Sequence, residues 1–192
     1  RLIVTPEGVL NRIVEFKDAN AEERAAPLCN SGVMLVDGAA LFDLLRQVGD
    51  DNAKGEFYLT DIVALARAAG GSAAVVEGLE SELLGVNDRS DLAQAEAEFQ
   101  RRKRATAMTG GATLTAPETV FFSHDTEVGQ DVIIEPNVVF GPGAKILSGA
   151  HIRAFSHIEG AVVASGAVIG PYARLRPGAD IGEGARIGNF VE

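Results

Sequence analysis

The 192-residue sequence contains no tryptophan, two tyrosines, two methionines and one cysteine, Cys29. A single cysteine excludes an internal disulfide and fits a reducing, cytoplasmic compartment. No apolar run approaches the ~18 residues that would span a bilayer, so no membrane partner is predicted. The opening RLIVTPEG lacks the basic and apolar regions of a secretory signal. Positive charge is also scarce: 17 Lys and Arg face 27 Asp and Glu, for a net charge of −10. That balance excludes a general nucleic-acid binder, because a phosphate backbone needs a basic face. What the chain does have is a 46% hydrophobic fraction, enough for a core, so it is globular rather than disordered. Its length admits one or two domains. It begins at Arg1 without Met, as expected of a processed chain or one cut from a longer parent.

The first half reads as alternating strands and helices. VLNRIVEF (9–16), SGVMLV (31–36) and AAVVEG (73–78) are expected strands. AALFDLLRQV places Leu41, Leu44, Leu45 and Val48 on one helical face. Thr60 is a candidate N-cap for DIVALARAA, and Gly70-Gly71 a stop. Such alternation predicts an open α/β sheet. Residues 90–107, rich in helix formers, read as a connecting arm with Leu92, Ala95 and Phe99 on one face. Ser90 is a candidate cap, and the basic cluster Arg101–Arg104 reads as a solvated helix end rather than an anion site.

From residue 128 the chain repeats in sixes. Aliphatic residues recur at Val128, Ile134, Phe140, Ile146, Ile152 and Ile158. After one five-residue step they resume at Val163, Ile169, Leu175, Ile181 and Ile187. Mostly small residues follow four positions later: Val132, Val138, Ala144, Ala150, Ser156, Val162, then Ala167, Ala173, Ala179, Ala185 and Val191. Three hexads make one triangular turn of a parallel β-helix, with glycines at its corners. Most of these residues read as scaffold. A solenoid also needs a cap, and the pattern runs on to Glu192 without an atypical repeat, as expected of a piece of a longer chain.

The stretches IVEFKDA (13–19), CNSGVMLVDG (29–38), NAKGEFYLTDIVALA (52–66), GVNDR (85–89) and IGPYARLRPGADIGEGARIGNFVE (169–192) carry a resemblance. In order and spacing, the chain resembles the bacterial bifunctional N-acetylglucosamine-1-phosphate uridyltransferase / glucosamine-1-phosphate N-acetyltransferase family. The resemblance implies a partial, Rossmann-like α/β nucleotidyltransferase domain followed by a left-handed parallel β-helix of hexapeptide repeats. It implies three regions: residues 1–89 from the uridyltransferase domain, 90–111 as the helical arm, and 112–192 from the β-helix. It implies acetyl transfer from acetyl-CoA to glucosamine 1-phosphate, then uridylyl transfer from UTP to N-acetylglucosamine 1-phosphate. A homotrimer joined through the β-helices is implied as well.

By the same resemblance, Asn87 contributes its amide oxygen to Mg²⁺ and to substrate. Read from residues alone, GVNDR is simply a turn; a hard cation with few protein ligands nonetheless suits an amide oxygen. Glu15 reads unaided as a surface carboxylate, and the resemblance makes it an acceptor for a sugar hydroxyl. Asn30 reads as a strand-edge turn residue, and the resemblance makes its amide a second sugar contact. Arg176 in RLRPG is implied to hold the phosphate of glucosamine 1-phosphate, a role that suits a guanidinium; otherwise it is a solvated arginine. Glu56, Tyr58 and Thr60 are read as ordering the local fold, and His124, His151 and His157 show no metal-ligand spacing.

The family's glycine-rich phosphate loop, with its catalytic Arg and Lys, and the Asp that shares the metal have no counterpart in this sequence. Neither do the acetyltransferase Lys, the general-base His and the acetyl-CoA contacts. No catalytic residue is therefore assigned, and the segment alone is expected to be inactive. Two other readings stand beside this one: a single-activity sugar-phosphate nucleotidylyltransferase whose β-helix only trimerises, and a non-catalytic trimerising module.

Overall fold

The computed structural model describes residues 1–191. The chain divides into two compact units, Arg1–Gly85 and Val86–Glu192, and the boundary falls inside the GVNDR stretch.

In the first unit, β1 (Leu2–Val4) and β2 (Leu10–Ile13) form an antiparallel pair with Leu2 opposite Ile13. The intervening turn closes through a Gly8 N–H bond to the Thr5 carbonyl, with Gly8 at φ +83°. Helix α1 (Ala21–Ala25) starts in a reciprocal capping box between Asn20 and Glu23. Glu23 also pairs with Arg12 of β2. Helix α2 (Gly38–Leu45) is capped by Asp37, whose Oδ1 accepts the Ala39 N–H at 2.9 Å. Its expected apolar face is narrower than the spacing implied: Leu44 is buried and Leu41 half-buried, but Leu45 is exposed. Helix α3 (Ile62–Ala68) ends where Gly70 takes φ +84° and Gly71 bonds back to Ala66.

Two of the three expected strands do not join a ladder. Residues 31–36 and 73–78 are assigned to no strand, and β1 and β2 form the only sheet in this unit among the described residues. Their side chains still alternate. Met34, Ala73 and Val75 pack on the core of Leu2, Leu10, Ile13 and Val63, whereas Val33, Leu35 and Val76 face solvent. The period-two pattern reports which face is apolar; a ladder further requires a neighbour in register. The 73–78 segment reaches β2 through one bond, Leu10 N–H to the Ala73 carbonyl. The nucleotidyltransferase-like character of this unit rests on the sequence resemblance.

The second unit opens with α4 (Arg89–Thr109), followed by two-residue strands from Thr113–Leu114 to Arg186–Ile187. These stack as three parallel sheets of four, five and three strands, the faces of a left-handed β-helix. Partners lie 18 residues apart where no short step intervenes, as in Ile133 to His151 and Val168 to Arg186. Across the short step the separation falls to 17, as in His151 to Val168 and His157 to Arg174. Ile134, Ile146, Ile152, Ile158, Val163 and Ile169 are fully enclosed, with Val132, Val138, Ala144 and Ala150 between them. Val162 and Val191 depart from the expected interior set, Val191 being 43% exposed. Val162 falls at the short step. It is 36% exposed, and Ala161 points inward in its place. Losing one residue from that step brings the inward position one place sooner.

Glycine does not serve every corner. Asp131, Asn137, Phe155, Tyr172 and Phe190 hold φ between 56° and 61°. The last three stack on one another, with ring centroids 5.0 and 5.6 Å apart. A positive φ costs an aromatic residue about 1–2 kcal/mol; each stacked pair returns about 0.5–1.5 kcal/mol.

The arm is more firmly seated than its polar sequence implied. Leu92 is exposed and Phe99 half-buried, whereas Gln100 is 3% exposed. The Gln100 amide pairs with the Phe122 peptide on both sides: its Nε2 donates to the carbonyl at 2.7 Å, and its Oε1 accepts the N–H at 2.9 Å. Lys103 donates to the His124 carbonyl at 2.8 Å and Arg104 to the Val120 carbonyl at 2.9 Å. Half of the basic cluster therefore satisfies backbone oxygens of the first coil instead of standing in solvent. Helix α4 is a polar cap for the first coil, stapling peptide groups that have no preceding coil to pair with. Gln100→Leu leaves both Phe122 peptide groups unpaired and is expected to destabilise the β-helix by about 2–4 kcal/mol. Accelerated amide exchange at Phe122 would report the loss; unchanged protection would show that the cap is dispensable.

Candidate functional site

The strand β2 ends at Ile13, and the chain then turns over Glu15, whose carbonyl accepts the Asp18 and Ala19 N–H groups at 3.1 and 3.0 Å. Glu15 is exposed. Asn30 is half-buried, and its Oδ1 accepts the Gly32 N–H at 3.2 Å, an Asx turn that leaves Nδ2 as its donor. Glu15 and Asn30 line the same cavity, of about 230 Å³. Met34, Phe57 and Leu59 supply apolar wall, and Tyr58 and Thr60 add hydroxyls. The structure thus brings together the two residues that the resemblance linked to one sugar.

Acidic groups gather around this cavity. Burial, and then the charges of Asp18 and Glu15, hold the Asp61 carboxyl above its ordinary value. Burial, followed by the Asp18 charge, also pushes the Tyr58 phenol up, so it is a neutral O–H donor at neutral pH. Thr60 does not cap α3. A short 3₁₀ turn, Leu59–Asp61, leads into the helix, and Asp61 occupies the cap position without a side-chain bond. The Thr60 hydroxyl is buried and has no partner.

Asn87 lies in the second unit, one residue before the cap of α4. That cap is Asp88, whose Oδ1 accepts the Ser90 and Asp91 N–H groups at 2.7 and 2.9 Å. The expected cap Ser90 instead sits inside the first turn, where its own N–H needs an acceptor. Asn87 gives both its backbone N–H (3.0 Å) and its Nδ2 (3.3 Å) to Asp91 Oδ2. With Nδ2 engaged, the side-chain oxygen is turned away from Asp91. This leaves one neutral oxygen on Asn87 of the kind a hard cation prefers. No group of three or more His, Cys, Asp or Glu among the described residues forms a metal cage.

Arg176 follows the inward Leu175 of the strand Arg174–Leu175 and is exposed at a coil edge. Asn87 and Arg176 are thus carried by different elements, the start of α4 and a late coil of the β-helix. His151 and His157 stand on different sheets, as their six-residue spacing implied.

The sequence reading missed a network around His151. Its Nε2 lies 2.8 Å from Glu135 Oε1, and Glu135 Oε2 accepts the Ala154 N–H at 2.9 Å. The Ala154 N–H, then His151 and Arg153, hold the Glu135 carboxyl below 4.5 despite its burial. The signal lies in the coil register: Ile133 pairs with His151, which sets Glu135 one coil from residues 151–154. A folded value below the unfolded one stabilises in full above about pH 4.5 and is lost as pH falls through the folded value. Glu135→Gln should therefore lower the melting temperature at pH 7, and the difference from the parent should shrink in acid. A difference independent of pH would contradict the charge argument.

A family model described as bacterial transferase hexapeptide (six repeats) matches residues 125–160 and 160–192. Bifunctional protein GlmU of Rhodospirillum rubrum is 69% identical over 132 residues, covering 69% of this chain and 29% of that protein. The protein of the same name from Rhizorhabdus wittichii is 62% identical over 135 residues, covering 70% and 30%. That from Maricaulis maris is 59% identical over 130 residues, covering 68% and 29%. The matched chain thus spans about 30% of the length of these curated relatives.

Proposed function

This chain belongs to the bifunctional GlmU family over the residues that match, and from that premise we propose that it serves a two-reaction transferase forming UDP-N-acetylglucosamine. The first unit binds N-acetylglucosamine 1-phosphate for uridylyl transfer. The β-helix contributes to acetyl transfer from acetyl-CoA to glucosamine 1-phosphate. The observation that carries the first assignment is the convergence of Glu15 and Asn30 on one cavity.

In uridylyl transfer, a phosphate oxygen of N-acetylglucosamine 1-phosphate attacks the α-phosphorus of UTP. The bond from that phosphorus to the bridging oxygen breaks, and pyrophosphate leaves. Little covalent work falls to the protein, so positioning and charge stabilisation dominate. Glu15 accepts from a sugar hydroxyl, and Asn30 donates through Nδ2. Asn87 offers one oxygen to Mg²⁺, which when bound neutralises phosphate charge. In acetyl transfer, the sugar amine attacks the thioester carbonyl, the carbon–sulfur bond breaks, the amine gives up a proton and coenzyme A leaves as its thiol, while Arg176 holds the sugar phosphate. A homotrimer through the β-helices and a cytoplasmic location complete the reading. Free, exposed Cys29 suits a reducing compartment, and no helix among the described residues is long and apolar enough to cross a membrane.

The test is made on the complete protein that contains this chain. Pyrophosphate release from UTP and N-acetylglucosamine 1-phosphate with Mg²⁺ is expected, as is acetyl transfer to glucosamine 1-phosphate. Arg176→Ala should raise KM for glucosamine 1-phosphate about tenfold or more and spare uridylyl transfer. Pyrophosphate release without acetyl transfer would reduce the β-helix to an assembly scaffold. Absence of both pyrophosphate release and acetyl transfer would remove the transferase reading.

A further inference from the structure

A second cavity in the first unit, of about 330 Å³, is lined by Asn11, Arg12, Ala64, Arg67 and Ala68. It shares no residue with the cavity of Glu15 and Asn30. Asn11 and Arg12 belong to β2, and the other three to α3. Ala64, Arg67 and Ala68 are spaced by three and four, so they stand on one helical face. Two of them end at Cβ, and both are exposed, which keeps the cavity open. The Glu15 cavity includes Thr60, ahead of α3, whereas this one takes in the last turn of that helix.

The lining is rich in donors and poor in acceptors. Two guanidiniums line the cavity and no carboxylate does, in a chain whose net charge is −10. Glu23 pairs with Arg12 through Oε1, and its Oε2 accepts the Asn20 N–H at 2.9 Å. Glu23 thus anchors Arg12 by one terminal nitrogen and leaves the others to spare. Arg67 gives Nη1 to the Gly71 carbonyl at 3.1 Å, while its Nε is enclosed and has no partner. That enclosed N–H is closed to a ligand; the open donor is the other terminal nitrogen. Asn11 adds an exposed amide, whose oxygen is the one side-chain acceptor of the lining. Two like charges lining one cavity repel, and an anion between them relieves that cost. A neutral sugar would need more acceptors, and a cation would be repelled. A tetrahedral oxyanion takes donors from several directions at once and suits guanidiniums best.

We propose that this cavity is an oxyanion site that holds a phosphate group between Arg12 of β2 and Arg67 of α3. The chemistry is shared by inorganic phosphate and by the phosphate of a small monoester. The site is separate from the cavity of Glu15 and Asn30 and does not depend on the uridyltransferase reading. Bound phosphate links β2 to the end of α3 and stabilises the folded unit by mass action.

The experiment melts the complete protein in increasing inorganic phosphate against chloride at equal ionic strength, and repeats the series with ribose 5-phosphate. Phosphate sites elsewhere in the protein are common to parent and variants, so the difference between them reports this cavity. The variants are Arg67→Gln, Ala64→Glu, which sets a carboxylate on the exposed helix face beside both arginines, and Ala64→Gln, which has the same bulk without the charge. The parent is expected to gain melting temperature with phosphate. Arg67→Gln should weaken the apparent affinity about tenfold or more, the scale of losing a hydrogen bond to a charged group. Ala64→Glu should melt no lower than the parent in chloride and lose the phosphate response, and Ala64→Gln should keep most of it. Whichever probe acts at the lower concentration identifies the source of the phosphate group. An equal phosphate response in the parent, Arg67→Gln and Ala64→Glu overturns the inference, because the anion then binds elsewhere. So does a parent with no phosphate response whose Arg67→Gln variant melts lower in chloride: the guanidinium is then a structural group, satisfied within the complete protein.

Discussion

Asn87→Ala in the complete protein is expected to lower pyrophosphate release by about a hundredfold or more, the scale of losing one pre-organised polar contact at a phosphoryl centre. Folding should be little affected. Asn87 is exposed, and Ala retains the backbone N–H that reaches Asp91. What disappears is the side-chain oxygen and the Nδ2 bond that aims it. Asn87→Asp, which keeps an oxygen at that position, should retain more activity than Ala, and raising Mg²⁺ should recover part of the deficit in both. Asp88→Ala supplies a contrast. It removes the side chain that caps α4 and should cost about 1 kcal/mol of stability, with a smaller effect on rate. Wild-type turnover by Asn87→Ala would dismiss the metal role and leave GVNDR as a turn that starts a helix.

Gly170→Ala is expected to be the most damaging small substitution in the β-helix. A Cβ at this position would lie 2.3 Å from Ser156 Oγ, and the backbone holds φ +82°. Ser156 is 1% exposed and enclosed by the coil interior, so close packing opposes a shift of its hydroxyl. Overpacking of a close-packed interior costs about 1–3 kcal/mol, and the left-handed backbone adds about 1–2 kcal/mol. The two contributions are separable. Ser156→Ala removes the atom that the new methyl would strike, so the double variant Gly170→Ala/Ser156→Ala should recover the steric part and retain the backbone part. Ser156→Ala alone should be nearly neutral or stabilising, because its Oγ has no hydrogen-bond partner. Equal melting temperatures for Gly170→Ala and the double variant would show that the coil relaxes around the methyl and that backbone strain alone is responsible.

The β-helix was legible because its rule is local and periodic. Each sixth residue faces inward, so Ile134, Phe140, Ile146 and Ile152 declare themselves without knowledge of any partner. The single short step could be placed for the same reason, and it reappears as the 17-residue register between His157 and Arg174. One detail inside that step was not legible: periodicity alone could not choose between Ala161 and Val162 as the inward residue. Glu15 and Asn30 were legible only through resemblance, because a lone carboxylate after a strand and an Asn before an apolar run are common surface features.

The tertiary structure decided wherever a residue's role depends on a partner distant in the chain. Gln100 reads as one polar residue among many on α4, but its amide pairs with a peptide 22 residues away. Thr60 carries a strong local capping signal, yet the 3₁₀ turn before α3 leaves its hydroxyl buried and without a partner. Residues 31–36 and 73–78 have the alternation of strands and keep it, but a ladder needs a neighbour in register as well as a pattern. By itself, the sequence determined the β-helix phase, the glycine stop of α3 and the family, since each follows from residue type at fixed spacing. Only the folded chain determined which polar groups are satisfied and which are not, because hydrogen-bond satisfaction belongs to the pair of groups that meet.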